Sequence, residues 1–306
     1  MKNTSNKLLL IFLVTIQLLA CKTAIGQQLP FLNHDKGVYN PSIINANYFK
    51  NYLPSTIKVQ YRHQWTDLQD APRTLNGTFT SWNEDYNLLF GARLVSDQTG
   101  PTGFNGVFGK VGYGVELSSD FLWTVGVSAG VRQFRVKGNE LNFLEPGDIA
   151  GENESRFYPD VTLGTTVYFK ERYYLGLSVP QIIGLDLKFK DATNDFKIKR
   201  VQHYHGVLGA LFELDSDSWV EFSSEFRYVQ NAPLHFNGQF KYEYQQMLWV
   251  GGGMTSSKEL SGNIGVIVDF GANSNLLRIG YSFSNFLQTY GPVFGNAHEI
   301  GIEVSL

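Results

Sequence analysis

The run Thr56-Ile57-Lys58-Val59-Gln60-Tyr61-Arg62-His63-Gln64-Trp65 changes chemistry at every step. Ile57, Val59, Tyr61, His63 and Trp65 form one largely apolar series, and Lys58, Gln60, Arg62 and Gln64 between them are all polar. Successive side chains of a β-strand point to opposite faces, so this run, extended, separates an oily surface from a wet one. The rhythm returns along the chain. Val161, Leu163, Thr165, Val167 and Phe169 alternate with Thr162, Gly164, Thr166 and Tyr168. Val220, Phe222, Ser224, Phe226 and Tyr228 alternate with Trp219, Glu221, Ser223, Glu225 and Arg227. Leu277, Ile279, Tyr281 and Phe283 alternate with Arg278, Gly280, Ser282 and Ser284, and Ile300, Ile302, Val304 and Leu306 alternate with Gly301, Glu303 and Ser305.

About fourteen such strands are expected: Thr56–Trp65, Arg73–Trp82, Tyr86–Asp97, Phe104–Leu117, Phe121–Arg135, Tyr158–Lys170, Arg172–Pro180, Gln202–Leu214, Ser218–Val229, Leu234–Tyr244, Gln246–Thr255, Gly262–Phe270, Asn275–Phe283 and His298–Leu306. Many approach the roughly 10 residues a tilted strand needs to cross a bilayer, and an even number suits a closed antiparallel barrel with both ends in the periplasm. Asn83-Glu84-Asp85, Ser118-Ser119-Asp120, Lys170-Glu171, Asp215-Ser216-Asp217 and Ala272-Asn273-Ser274 read as turns, and Lys137–Phe157 and Gly184–Val201 as extracellular loops. Trp65, Trp82, Trp123, Trp219 and Trp249 stand near strand ends, where amphipathic rings are expected to meet lipid headgroups. Gly100-Pro101, Pro159-Asp160 and Ala71-Pro72 are expected at strand ends or turns, because proline cannot donate to a ladder. Lys58, Arg62, Glu221, Glu225, Arg227 and Glu303 fall on the wet series, where an aqueous lumen keeps them hydrated. Facing lipid at mid-depth, Arg or Lys would cost about 2–4 kcal/mol.

Composition agrees with an all-β chain. Among 306 residues there are 31 Gly, 23 Phe and 16 Tyr, with 17% charged, which suits many short strands joined by turns. A helical bundle would be richer in Ala, Leu, Glu and Lys. Lys2 and Lys7 precede the apolar stretch Leu8–Ala20, the pattern of a secretory signal for the Sec pathway. That stretch is shorter than the roughly 20 apolar residues a spanning helix needs, so membrane residence falls to strands. Two cleavages fit. One follows Ala24-Ile25-Gly26 and makes 1–26 the signal peptide; the other precedes Cys21 in the lipobox-like Leu18-Leu19-Ala20-Cys21 and would leave Cys21 lipidated. Losing Lys2, Lys7 and Lys22 takes the formal charge from -3 to -6, and with no Lys/Arg cluster this argues against nucleic acid as a partner.

A soluble β-sandwich or propeller would share the alternation. The leader, and a last segment whose apolar side chains reach the final residue, favour an outer-membrane barrel over 56–306. Roughly eight strands give a lumen that side chains can fill, so about fourteen leave space for water, loops or the segment 27–55, which is expected as a short periplasmic docking element or plug.

Dispersed motifs over nearly the whole mature chain resemble the PorP/SprF outer-membrane proteins of the type IX secretion system. Tyr39-Asn40-Pro41-Ser42-Ile43-Ile44-Asn45-Ala46 resembles the family's opening, and Tyr61-Arg62-His63-Gln64-Trp65 with Ala71-Pro72-Arg73-Thr74 its Tyr-Arg-x-Gln-Trp and Ala-Pro-x-Thr pair. The stretch from Gly91 to Asp97-Gln98-Thr99-Gly100-Pro101, then Tyr158-Pro159-Asp160-Val161 and Tyr173–Pro180, and finally Gly280-Tyr281-Ser282-Phe283 and His298-Glu299-Ile300 continue the match. The proline usual after Asn45 is replaced by Ala46, and the chain ends in Leu306 where an aromatic is commoner. The resemblance implies a component that assists secretion or surface retention of cargo with C-terminal sorting domains, gliding adhesins included. Its implied partners are outer-membrane lipids, the system's periplasmic ring, its peptidoglycan-linked lipoproteins and the cargo itself. The alternative is a general porin or small-solute transporter, which gives the same alternation.

No enzyme and no cofactor is expected. His203 and His205 share a strand face, but no clustered Cys, His and carboxylate set of metal-site spacing accompanies them. No Gly-x-Ser-x-Gly elbow occurs.

Overall fold

The computed structural model describes residues 36–45, 49, 54–140, 153–183, 187–190, 195–198, 202–230, 232–270, 275–287 and 291–306. Residues 1–26 with Cys21, the turn Ala272-Asn273-Ser274 and most of segment 27–55 lie outside them. The strands are β1 (Ser55–Gln64), β2 (Arg73–Asn83), β3 (Leu88–Thr99), β4 (Thr102–Ser118), β5 (Phe121–Lys137), β6 (Asn153–Phe169), β7 (Tyr173–Val179), β8 (Leu187–Lys190), β9 (Asp195–Ile198), β10 (His203–Asp215), β11 (Ser218–Val229), β12 (His235–Tyr244), β13 (Leu248–Thr255), β14 (Glu259–Phe270), β15 (Asn275–Phe286) and β16 (Ala297–Ser305). β8 and β9 pair with each other, and the other fourteen form one closed antiparallel barrel. Closure joins β1 to β16 from Thr56↔Ser305 through Gln64↔Ala297, leaving no barrel edge open to lipid at that seam.

The wall is inverted relative to a soluble protein. On β1, Thr56, Gln60, Arg62 and Gln64 are buried, while Ile57, Val59 and Tyr61 between them are exposed. Arg278, Ser282 and Ser284 on β15 and Glu299, Glu303 and Ser305 on β16 are likewise buried, with Ile279, Tyr281, Ile300 and Ile302 outside. Lipid solvates the apolar face, and charged side chains turned inward pair across the lumen, as Arg62 does with Glu259 and Glu299. At one end of the barrel the connections are 84–87, 119–120, 170–172, 216–217, 245–247 and 271–274; at the other they include 138–152, 180–202 and 287–296. Short turns mark the periplasmic end and long loops the extracellular end.

Three expectations need correction. Lys137–Phe157 is not all loop: β5 and β6 stay paired as far as Lys137↔Asn153. With β4 they form a flange of three 17-residue strands, well beyond the length a bilayer requires. Gly184–Val201 holds the β8–β9 hairpin. Pro159 lies inside β6, opposite Val131. β7 pairs with β6 only from Leu163 onward, and Val161 turns its carbonyl toward Ile182 N, 2.9 Å away. Two residues earlier, Pro159 points its nitrogen the same way, toward the side β7 no longer covers, where the missing N–H costs no ladder bond.

Candidate functional site

The described part of the N-terminal segment lies inside the barrel. Asn40 opens a turn with Pro41 next in line, closed by Ile43 N–H donating to Asn40 O at 3.3 Å. Asn40 Oδ1 accepts from Ser42 N–H (3.1 Å) and from Ser42 Oγ (2.7 Å), which fixes the turn from within. The wall holds it from without. Asn40 Nδ2 faces Thr166 Oγ1 at 3.3 Å, Ser42 Oγ lies 2.7 Å from that hydroxyl, and Thr124 Oγ1 donates to Ser42 O at 2.8 Å. Ser178 Oγ donates to Tyr39 O (2.8 Å), and Ile44 N–H donates to Tyr168 Oη (2.7 Å). Asn40 and Ser42 are fully buried.

This approach requires glycine in the wall. A Cβ at Gly164 would collide with Asn40 Oδ1 and lie 2.9 Å from Pro41 Cδ; at Gly126 it would lie 2.8 Å from the Pro41 carbonyl; at Gly176, 2.7 Å from Asn40 Nδ2. Gly126 and Gly164 are cross-strand partners, and Gly176 pairs with Thr166 beside them. Together they form a hollow on β5, β6 and β7 that the Asn-Pro-Ser turn fills. Sequence reading overlooked it, although glycines on the wet series of neighbouring strands were the available signal.

On the periplasmic side of the turn, Ile43, Ile44 and Phe49 join Trp82, Leu89, Tyr168, Tyr174, Val207 and Leu211 in an apolar cluster. Burying each large apolar side chain contributes about 1.5–3 kcal/mol, so this cluster and the hydrogen bonds seat the segment together. On the extracellular side, Tyr39 lies between Arg93 (5.6 Å) and Arg227 (4.3 Å), with the His205 ring at 5.7 Å. His203 and His205 line this chamber with Arg93, Arg132 and Arg227. Among the described residues no group of three or more His, Cys, Asp or Glu is placed to hold a metal.

The rest of the lumen is bridged by ions. Arg62 reaches Glu259 (2.6 Å) and Glu299 (3.5 Å), with both partners nearly inaccessible. Lys58 and Arg278 share Glu303 at 2.7 and 3.4 Å, Arg278 approaches Glu243 at 3.6 Å, Arg132 pairs with Asp160 at 2.5 Å, and Lys36 pairs with Glu221. The cavity left between the inner segment and the β1–β2 and β11–β16 wall is about 140 Å³ among the described residues, room for on the order of ten waters.

The motif positions fall in two places. Asn40 and Pro41 fill the hollow, and Asn45 donates from Nδ2 to Thr56 Oγ1 at 3.1 Å. The others converge on the extracellular rim or just under it. Gln64 N–H bonds Pro72 O (2.9 Å), Gly100 N–H bonds Asp70 O (3.0 Å), and Lys137 N–H bonds Pro101 O (2.8 Å). Ala71 is buried, Asp97 accepts from Thr74 Oγ1 at 2.6 Å, and Trp65 packs on Phe294 (5.5 Å). Glu299 faces inward to Arg62, and His298 faces outward, with its Nδ1 2.6 Å from Tyr281 Oη. The aromatic girdle is smaller than expected. Trp82, Trp219 and Trp249 are buried inward at the periplasmic end, on the wet series where Trp219 already stood; Trp65 belongs to a loop, and Trp123 faces outward.

The fold matches solved outer-membrane channels. A FadL homologue of Pseudomonas aeruginosa aligns with a TM-score of 0.51 at 10% identity, covering 92% of this chain and 95% of that one. The monoaromatic hydrocarbon channel CymD aligns at 0.50 and 9% identity (92% and 93% covered), and the Pseudomonas putida toluene transporter TodX at 0.50 and 8% (92% and 95%). At such identities the likeness establishes the barrel alone. Among curated proteins nothing matches. The model for "Type IX secretion system membrane protein PorP/SprF" matches residues 28–304, and this outer-membrane barrel belongs to that family.

Proposed function

We propose that the chain is a partner barrel of the type IX system, closed by its own N-terminal segment, with binding rather than transport or catalysis as its output. It assists secretion or surface retention of cargo with C-terminal sorting domains, gliding adhesins among them. The observation that carries this reading is the Tyr39–Ile44 stretch bonded across the lumen to Thr124, Thr166, Tyr168 and Ser178. With the described part of the segment bonded across the lumen, cargo on this reading passes beside the barrel rather than through it. The connections 138–152 and 180–202 supply the cargo-side surface, and the periplasmic end meets the ring and its peptidoglycan-linked lipoproteins.

Deleting the gene while monitoring both surface-protein export and small-solute uptake tests the proposal. Loss of one cargo's secretion or anchoring, with uptake intact, is expected. Lost uptake with normal secretion would support a general porin instead. Co-purification in mild detergent should recover secretion-machinery components or a sorting-domain protein; recovering neither counts against the assignment.

A further inference from the structure

We propose that the outward face of the barrel seam carries a binding site for the phosphate group of an outer-leaflet glycolipid, formed by His63, Arg73 and His298. In the β-ladder, His63 stands opposite Arg73 on one side and opposite His298 on the other, so the three occupy one cross-strand row over β2, β1 and β16. All three point away from the lumen, because Arg62, Thr74 and Glu299 beside them are the buried, inward residues. The row continues as Gln98 on β3 and Phe283 on β15.

Its depth suits a headgroup. One step toward the membrane centre the corresponding row is Leu75, Tyr61 and Ile300, all exposed on the apolar belt. One step the other way the chain enters the extracellular loops. An arginine facing lipid is costly at mid-depth and close to neutral at the interface, so Arg73 is tolerable only where headgroups lie.

Its chemistry is uncompensated. The outward neighbours are Tyr61, Leu75, Ser96, Gln98, Tyr281, Phe283 and Ile300, with no carboxylate among them. The acids of the adjoining 65–72 connection are Asp67, which packs where Gly295 admits no Cβ, and Asp70; among the described residues neither forms an ion pair with Arg73, His63 or His298. Tyr281 Oη lies 2.6 Å from His298 Nδ1; donating its proton there leaves the N–H of His298 on Nε2. One guanidinium fork and two imidazoles side by side match the oxygens of a phosphate monoester, for which arginine supplies parallel, charge-assisted bonds. This site depends only on membrane residence and stands whether or not the chain serves secretion as proposed.

Native mass spectrometry of the full-length protein in mixed micelles tests it, with phosphorylated lipid A, the same lipid A dephosphorylated, and inorganic phosphate as probes. Phosphorylated lipid A should be retained about tenfold better than the dephosphorylated form, the weight of one hydrogen-bonded charge contact. Arg73→Gln and His63→Gln should remove that preference, Arg73→Lys should restore part of it, and Arg172→Gln at the periplasmic end should leave it unchanged. Excess inorganic phosphate should not strip the lipid. Equal retention of both lipid forms, indifference to Arg73→Gln, or displacement by inorganic phosphate alone would overturn the proposal.

Discussion

At Gly164 the barrel wall has no side chain because Asn40 and Pro41 occupy that space. Gly164→Val therefore acts on the inner segment and spares the ladder. We expect the folded variant to keep its heat-modifiable gel shift while the segment near Tyr39 becomes open to protease. Gly77→Val is the control, since nothing lies within 4 Å of a Cβ there. Protection of the segment in both variants would place it elsewhere. Arg62 serves a different purpose. Its guanidinium joins Glu259 and Glu299, and the three side chains are 2%, 7% and 1% exposed. Arg62→Leu leaves two buried carboxylates without their cation and should lower the unfolding free energy by about 3–5 kcal/mol, read from urea transitions in micelles. The pair Arg172–Glu213, at 3.7 Å, is half exposed, so Arg172→Leu should cost under about 1 kcal/mol. Comparable losses from both would mean that the lumen is as wet as the surface.

Among the elements, the periplasmic turns carry strain that glycine could remove. Met247 N–H bonds Tyr244 O at 2.9 Å, and the two central residues, Gln245 and Gln246, have φ of 47° and 51°. This is the mirror-image hairpin turn that Asn-Gly favours, and left-handed backbone costs an ordinary L-residue about 1–2 kcal/mol. Replacing the pair with Asn-Gly sacrifices one exposed bond, Gln246 Nε2 to Asp217 at 3.3 Å, and should still raise stability by about 1 kcal/mol. A lower urea midpoint would show that the turn's side-chain contacts outweigh its backbone. The barrel strands themselves were legible because lipid and lumen demand opposite chemistry of alternate residues. Where that demand ends, legibility ends too. Asn153–Phe157 of β6 reaches past the bilayer and has no apolar series, so it read as loop. Trp82 and Trp249 were misplaced for a related reason: the periplasmic end of the lumen is apolar, with Ile43, Ile44 and Phe49 on one side and Ile267 and Leu276 on another. A tryptophan near a strand end fits either face when both are oily.

For the whole molecule, the family and the barrel could both be recognised in the sequence, but the seat of the N-terminal segment could not. Several of its contacts join residues more than a hundred positions apart, such as Ser42 with Thr166 and Tyr39 with Ser178, and no periodicity encodes them. The opening motif was visible as a resemblance; only the fold shows that Asn40 and Pro41 fill a hollow in β5, β6 and β7. Fourteen strands without an occupant would leave an aqueous passage, since about eight are as many as wall side chains alone can fill. Single-channel conductance in a planar bilayer, comparing the protein over residues 27–306 with one lacking residues 27–53, measures that occupant directly. The intact protein should be nearly silent, and the shortened one, still heat-modifiable, should open steps at least several-fold larger, as a cleared lumen of this strand number requires. Equal conductance in the two would contradict a barrel closed by its own chain.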